Sequence, residues 1–133
     1  MKLCLVVDDY EVIRKVVRRT VEELGFIVIE AATCEEAAAQ CANEMPHLIL
    51  VDWRLPDGGS LELITSIRAE PCNHIPVIVY LPTENDVEDI SRALHAGAND
   101  YLQKPFDREV MQTKINELMP GTHFAAMAEF EPI

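Results

Sequence analysis

Five short apolar runs punctuate the chain: "LCLVV" at 3–7, "FIVIEA" at 26–31, "LILV" at 48–51, "VIVY" at 77–80 and a fainter "NDYLQ" at 99–103. Continuous apolar runs of this length match strands covered on both faces. Between them the apolar period changes to that of a helix. After the first run, Val12, Ile13, Val16, Val17, Val21 and Leu24 fall on one helical face, and Gly25 supplies the stop. A second helix starts near Thr33, an N-cap with Glu36 three residues on, and stops before Pro46. A third spans about 60–70 and ends at Pro71. A fourth covers about 84–96, with Glu84, Asp86, Glu88 and Asp89 in its first turns, where the helix dipole favours anions, and Gly97 after it. A fifth runs from Asp107 to Met119, before Pro120-Gly121.

Strands buried on both faces and alternating with helices imply a parallel sheet sandwiched by helices. Right-handed crossovers then make a doubly wound α/β fold the economical topology. The expected domain is 1–119. Residues 120–133 fall outside the alternation and are expected to be a flexible C-terminal tail, although Phe124, Met127 and Phe130 are spaced for one docking turn of helix.

Composition narrows the function. A chain of 133 residues suits one core, and no apolar run reaches the roughly 20 residues needed to span a bilayer. The acidic start "MKLCLVVDDY" is no signal peptide, so a cytoplasmic protein is expected. The formal charge of −12 argues against direct DNA binding, which needs a basic surface. "IRKVVRR" at 13–19, with four of the eleven basic residues, is the local exception. Cys4, Cys34, Cys41 and Cys72 have neither CxxC spacing nor neighbouring histidines, so free thiols are expected.

The chemistry gathers where such sheets bind ligands, at the carboxyl ends of the strands. There stand Asp8 and Asp9 after strand one, Asp52 ending strand three and Lys104 after strand five. A carboxylate closing a buried strand is costly unless a cation neutralises it. Three aspartates would repel, and a hard divalent ion relieves that, since Mg²⁺ favours carboxylates, a carbonyl and waters. Three aspartates, a divalent cation and one lysine sum to neutrality. Such a site accepts a phosphoryl group, with Asp52 as nucleophile.

These pieces resemble the receiver domain of two-component response regulators over residues 1–119: "LVVDD" (5–9), "LILVDWRLPDG" (48–58), "IPVIV" (75–79) and "AGANDYLQKPF" (96–106). The resemblance implies a five-stranded sheet in the order 2-1-3-4-5. It implies that Asp52 takes a phosphoryl group from a phosphohistidine on a sensor histidine kinase or histidine phosphotransfer protein. It implies Mg²⁺, or Mn²⁺ in its place, on Asp8, Asp9, Asp52 and the Arg54 backbone carbonyl. Lys104 would stabilise charge on the phosphoryl oxygens, and the Lys104–Pro105 bond would be cis.

The pattern breaks in two places. Receivers end strand four with a Thr or Ser; counting from Pro76 puts that position at Leu81, and counting back from Gly97 puts it at Pro82. Thr83 is the nearest hydroxyl, while Tyr101 occupies the place of the aromatic that works with it. The turn after strand three is "GGS", Gly58 to Ser60, with Ser where Gly is typical. This points to a more mobile loop and looser ligation through Arg54.

No DNA-binding or catalytic domain is expected after residue 119, so output would run through protein contacts. The expected function is a single-domain response regulator that switches an unknown protein target or relays the phosphoryl group. The first helix would dock the kinase or phosphotransfer partner, its basic residues steering toward acidic surface. The alternative is a docking module of the same fold that signals largely without phosphate, because Leu81 has replaced the hydroxyl. An enzyme is not expected: aspartate-nucleophile phosphatases place a second Asp two residues after the nucleophile, where this chain has Arg54.

Overall fold

The computed structural model describes residues 2–120. Ten elements alternate: β1 (Leu3–Val7), α1 (Glu11–Glu22), β2 (Ile27–Ala31), α2 (Cys34–Asn43), β3 (Leu48–Asp52), α3 (Ser60–Ala69), β4 (Val77–Leu81), α4 (Val87–Ala96), β5 (Asp100–Tyr101) and α5 (Arg108–Leu118). The five strands are parallel, in the order β2-β1-β3-β4-β5. Crossing from β1 to both β2 and β3 reverses the winding, which leaves a crevice beyond the carboxyl ends of β1 and β3.

Burial explains the unbroken apolar runs. Leu5, Val7, Ile49, Val51, Ile78 and Tyr80 pack on one sheet face, with residues of α2, α3 and α4. Cys4, Val6, Leu48, Leu50, Val79 and Leu81 pack on the other, with α1 and α5. β1, β3 and β4 thus send alternate side chains into two cores, which forbids polar alternation along them.

Side-chain caps account for three of the five helix starts, those of α2, α4 and α5. Thr33 caps α2 by accepting the Glu36 N–H at 3.0 Å. The reciprocal carboxylate bond goes to the Ala32 N–H at 3.0 Å, one residue earlier than a standard capping box. Asp107 caps α5 through the Val110 N–H.

Three expectations need correction. α4 begins at Val87, not near 84: Asp86 stands outside as N-cap, accepting from the Glu88 and Asp89 N–H groups. Asp86 is a better cap than interior residue because its short side chain competes for backbone donors. The fifth strand shrinks from the run 99–103 to Asp100–Tyr101, flanked by single ladder bonds from Asn99 N–H to the Ile78 carbonyl and from Leu102 N–H to the Tyr80 carbonyl. On α1 the buried face is narrower than its apolar stripe. Val17 and Val21 are buried and Ile13 half-buried, whereas Val12 and Val16 are 60% and 59% exposed. The possible docking turn at Phe124, Met127 and Phe130, and the flexible tail, lie outside the described residues. The cysteines within reach are free, and no described helix is long and apolar enough to cross a membrane.

Candidate functional site

Asp8 leaves the end of β1 still tied to the sheet, its N–H donating to the Ala31 carbonyl at 3.0 Å. One of its carboxylate oxygens accepts the Tyr10 N–H, at 2.9 Å. Its carbonyl accepts from the Arg14 guanidinium at 2.8 Å, so the first turn of α1 fixes it from behind. Asp52 is the last residue of β3, opposite Leu81 in register. Ser60, the unexpected residue of the turn, is buried and donates its hydroxyl to the Asp52 carbonyl at 2.8 Å. Asp8 and Asp52 are both buried, while Asp9 faces solvent.

Lys104 closes the group. Its Nζ donates to Asp8 Oδ2 at 2.7 Å and to Asp52 Oδ1 at 2.8 Å, and the bond that follows it, to Pro105, is cis. The connection is braced by the Lys104 N–H donating to the Pro82 carbonyl. Residues 8, 52 and 104 thus meet because the parallel sheet aligns three carboxyl ends. Oxygens of Asp8, Asp9 and Asp52 lie within 4.8 Å of one another.

The electrostatics are strained toward acceptance of a cation. Burial pushes the Asp52 carboxyl up and the nearby Asp8 charge adds to this, while Lys104 and the Arg54 N–H pull it down without fully offsetting burial. Burial also opposes charge on Lys104, yet its hydrogen bonds to Asp52 and Asp8 outweigh that and hold the ammonium above its ordinary value. The pocket over this group is lined also by Trp53, Arg54 and Thr83. The Arg54 guanidinium lies over the Trp53 ring, 5.9 Å from its centroid. Leu81 faces away: its side chain is buried in the core under α5, so the strand-four position that ordinarily carries a hydroxyl offers none to the pocket. Thr83, exposed at the rim, is brought there; Tyr101 is half-buried beside β4.

Three arrangements were not anticipated from the sequence. Asp57 accepts the Cys34 and Glu35 N–H groups at 2.9 and 3.0 Å, so the turn after β3 is pinned to the N-terminus of α2. Only Gly58 of the two glycines takes a positive φ, +95°. Glu30 gathers Arg14, Lys15 and Arg18, so most of the basic run on α1 is drawn onto one acid of β2. Tyr80 donates its hydroxyl to Asp89 of α4. In each case the partner is distant in sequence, and no local spacing announces it.

The Glu30 cluster yields a pH prediction. Burial raises Glu30, but hydrogen bonds from Arg18, Lys15 and Arg14 prevail and lower it from 4.5 to about 2. A depressed folded value means stability present above pH 4.5 and lost as pH falls toward 2. With Lys15 and Arg18 partly solvated, the cluster is expected to contribute roughly 2 kcal/mol. Urea unfolding of wild type and Glu30→Gln is expected to differ by that amount at pH 7, with the gap closing below pH 3; a constant gap refutes it.

Comparison with known proteins identifies the group. The model of the response regulator receiver domain matches residues 4–116, and the chain belongs to that family. It is 36% identical over 126 residues to the chemotaxis protein CheY1 of Helicobacter pylori, covering 92% of this chain and 99% of that one. It is also 36% identical over 115 residues to the phosphate regulon transcriptional regulatory protein PhoB of Klebsiella pneumoniae, covering 86% of this chain. The chain spans about half the length of that regulator, 50%. Among solved structures, the receiver domain of the sensor histidine kinase PA1611 from Pseudomonas aeruginosa PAO1 aligns with a TM-score of 0.78 and 30% identity, over 87% of this chain and 95% of that one. That structure has a magnesium ion coordinated in its active site cleft. Receiver domains bind Mg²⁺ in an acidic pocket, and the donor set here, three close carboxylates of hard oxygen, fits such an ion.

Proposed function

We propose that this chain is a phosphorylation-controlled switch or relay component, in which Asp52 takes a phosphoryl group from the phosphohistidine of a sensor kinase or phosphotransfer protein. The convergence of Lys104 on Asp8 and Asp52 carries this reading, because it combines a buried carboxylate nucleophile with a fixed cation. An Asp52 oxygen bonds to phosphorus as the P–N bond breaks, and the bonding pair stays on the departing imidazole. Lys104 then turns from carboxylate to phosphoryl oxygen, so charge moves against a group already in position. Asp8, Asp9, Asp52 and the Arg54 carbonyl would hold Mg²⁺, with Mn²⁺ as a substitute. Bound there, the ion supplies charge neutralisation of the phosphoryl oxygens. Asp8 is kept in place by Tyr10 and Arg14, and Asp52 by Ser60.

The exposed Val12 and Val16 favour a partner surface beside the site. An apolar groove runs from Ile13, Val16 and Val17 to Pro105 and Phe106, and Thr83 and Lys104 form its end. A helical partner seated there would bring its phosphohistidine to the mouth of the pocket. The Glu30 cluster leaves fewer of the α1 cations free for steering, so apolar contact is the stronger attraction.

Incubation with acetyl phosphate and millimolar Mg²⁺, followed by intact mass measurement, tests the reading. One phosphoryl adduct is expected in wild type, with none in Asp52→Asn and none in EDTA. Absence of an adduct in wild type would overturn it. The chain's single tryptophan, Trp53, adjoins Asp52 and lines the pocket, so its fluorescence reports Mg²⁺ binding separately.

A further inference from the structure

We propose that the Tyr80–Asp89 hydrogen bond is the clasp through which phosphorylation of Asp52 controls α4, in place of the strand-four hydroxyl that this chain lacks. The inference rests on the phosphoacceptor reading above and names the regulation of that site. Four observations lead to it. Leu81, opposite Asp52, has no hydroxyl and is buried in the opposite core, so it offers no hydrogen bond to a group on Asp52. Tyr80, the preceding residue, points to the face covered by α4 and is only 1% exposed. Its hydroxyl reaches Asp89 Oδ2 at 2.8 Å, and Asp89 stands in the first turn of α4. The connection between them, Pro82 to Asp86, is fastened at one end to Lys104 and at the other to the Asp86 cap, and it carries Thr83 at the rim of the Asp52 pocket.

The mechanics follow. A buried tyrosine hydroxyl must keep a partner, and a carboxylate acceptor makes the bond stronger than a neutral one. Burial, Asp89 and the charge of Asp52 each disfavour ionisation of Tyr80, so it remains a donor. A phosphoryl group on Asp52 presents new acceptors to Thr83. As Thr83 turns inward, the Pro82–Asp86 connection follows and the first turn of α4 moves relative to Tyr80. The clasp opens and α4 loosens at its N-terminal end. Tyr80 is a positioning residue here, since it touches neither the ion nor the phosphoryl group.

Tyr80→Phe keeps the ring in the core and removes only the donor; Asp89→Asn retains an acceptor oxygen, and Asp89→Ala removes it. Each protein is exposed to acetyl phosphate and Mg²⁺, its adduct quantified by mass, and hydrogen exchange measured at the α4 amides. In wild type, phosphorylation is expected to speed exchange in the first turn of α4 about fivefold, the equivalent of one net hydrogen bond. In Tyr80→Phe and Asp89→Ala that turn is expected to exchange fast already, with less than a twofold further change at equal adduct. Asp89→Asn is expected to restore most of the response. A full response in Tyr80→Phe at equal adduct, or no response in adduct-bearing wild type, overturns the clasp alone. Absence of adduct in wild type overturns the phosphoacceptor reading and the clasp with it.

Discussion

Replacing Lys104 with Met is expected to lower the stability of the metal-free protein by about 3 kcal/mol, because the two carboxylates it joins are buried and lose their shared cation. Asp8 and Asp52 have side chains only 2% and 7% exposed, so little water reaches them to replace the ammonium. The raised value of Lys104 gives the sign: the pairing contributes throughout the neutral range and is lost only as pH rises through that value. Millimolar Mg²⁺ is expected to return more stability to Lys104→Met than to wild type, since the ion then meets two carboxylates without a competing cation. Asp52→Asn is expected to behave oppositely. It removes the carboxyl that burial pushes up, and so leaves metal-free stability unchanged or raises it. Urea unfolding of the three proteins, in EDTA and in Mg²⁺, checks both signs. A metal-free Lys104→Met as stable as wild type would show that the lysine does not offset the acids.

The contrast between these two substitutions marks what the sequence reveals and what it leaves hidden. Asp8, Asp52 and Lys104 are legible because each closes a recognisable apolar run, and parallel strands bring their carboxyl ends to one rim. The parallel, doubly wound sheet is legible through the same runs, whereas its order, β2-β1-β3-β4-β5, is implied only by the resemblance. Their unbroken hydrophobicity reflects two cores, seen at Val6 and Val7 or at Tyr80 and Leu81, which diverge to opposite faces. What stays hidden depends on pairings across the fold. Glu30 reads as a lone polar residue in an apolar strand until Arg14, Lys15 and Arg18 are placed over it. Asp57 reads as turn chemistry within "PDGG", whereas its carboxylate serves the backbone of another helix. Val12 and Val16 fit the helical stripe of α1, but a helix packed by one face on a sheet buries a narrower stripe than its apolar residues define. Residues 84–89 look like one acidic first turn; only the Asp86 cap shows where backbone hydrogen bonding begins.

Arg68→Ala is expected to destabilise the fold by about 3 kcal/mol, although Arg68 lines no part of the Asp52 pocket. Its guanidinium donates to the Gly97 carbonyl at 2.8 Å, the Pro76 carbonyl at 2.7 Å and Asn99 Oδ1 at 2.7 Å. The same Asn99 oxygen accepts the Ile78 N–H at 2.8 Å. One side chain of α3 therefore ties the end of α4 to the starts of β4 and β5. None of the three acceptors is a carboxylate, and burial lowers the guanidinium from its ordinary value. The bond geometry, rather than charge pairing, is what stabilises it, and Arg68→Lys is not expected to rescue, because a single ammonium cannot span three diverging acceptors. Gly97 is coupled to this contact twice. Its φ of +128° disfavours any side chain, and an added Cβ would lie 2.6 Å from the Arg68 Cγ. Gly97→Ala is expected to be destabilising in wild type and less so in Arg68→Ala, where only the backbone strain remains. A double-mutant cycle by urea unfolding measures that difference, and strict additivity would refute the coupling. The arrangement gives α4 unequal ends. Arg68 fastens the C-terminal end, through the Gly97 carbonyl, to the starts of β4 and β5, while the Tyr80 hydroxyl reaches the N-terminal turn, so motion of α4 is expected to pivot about Gly97. Loosening Arg68 is therefore expected to spread the exchange response of phosphorylated protein from the first turn of α4 along the whole helix.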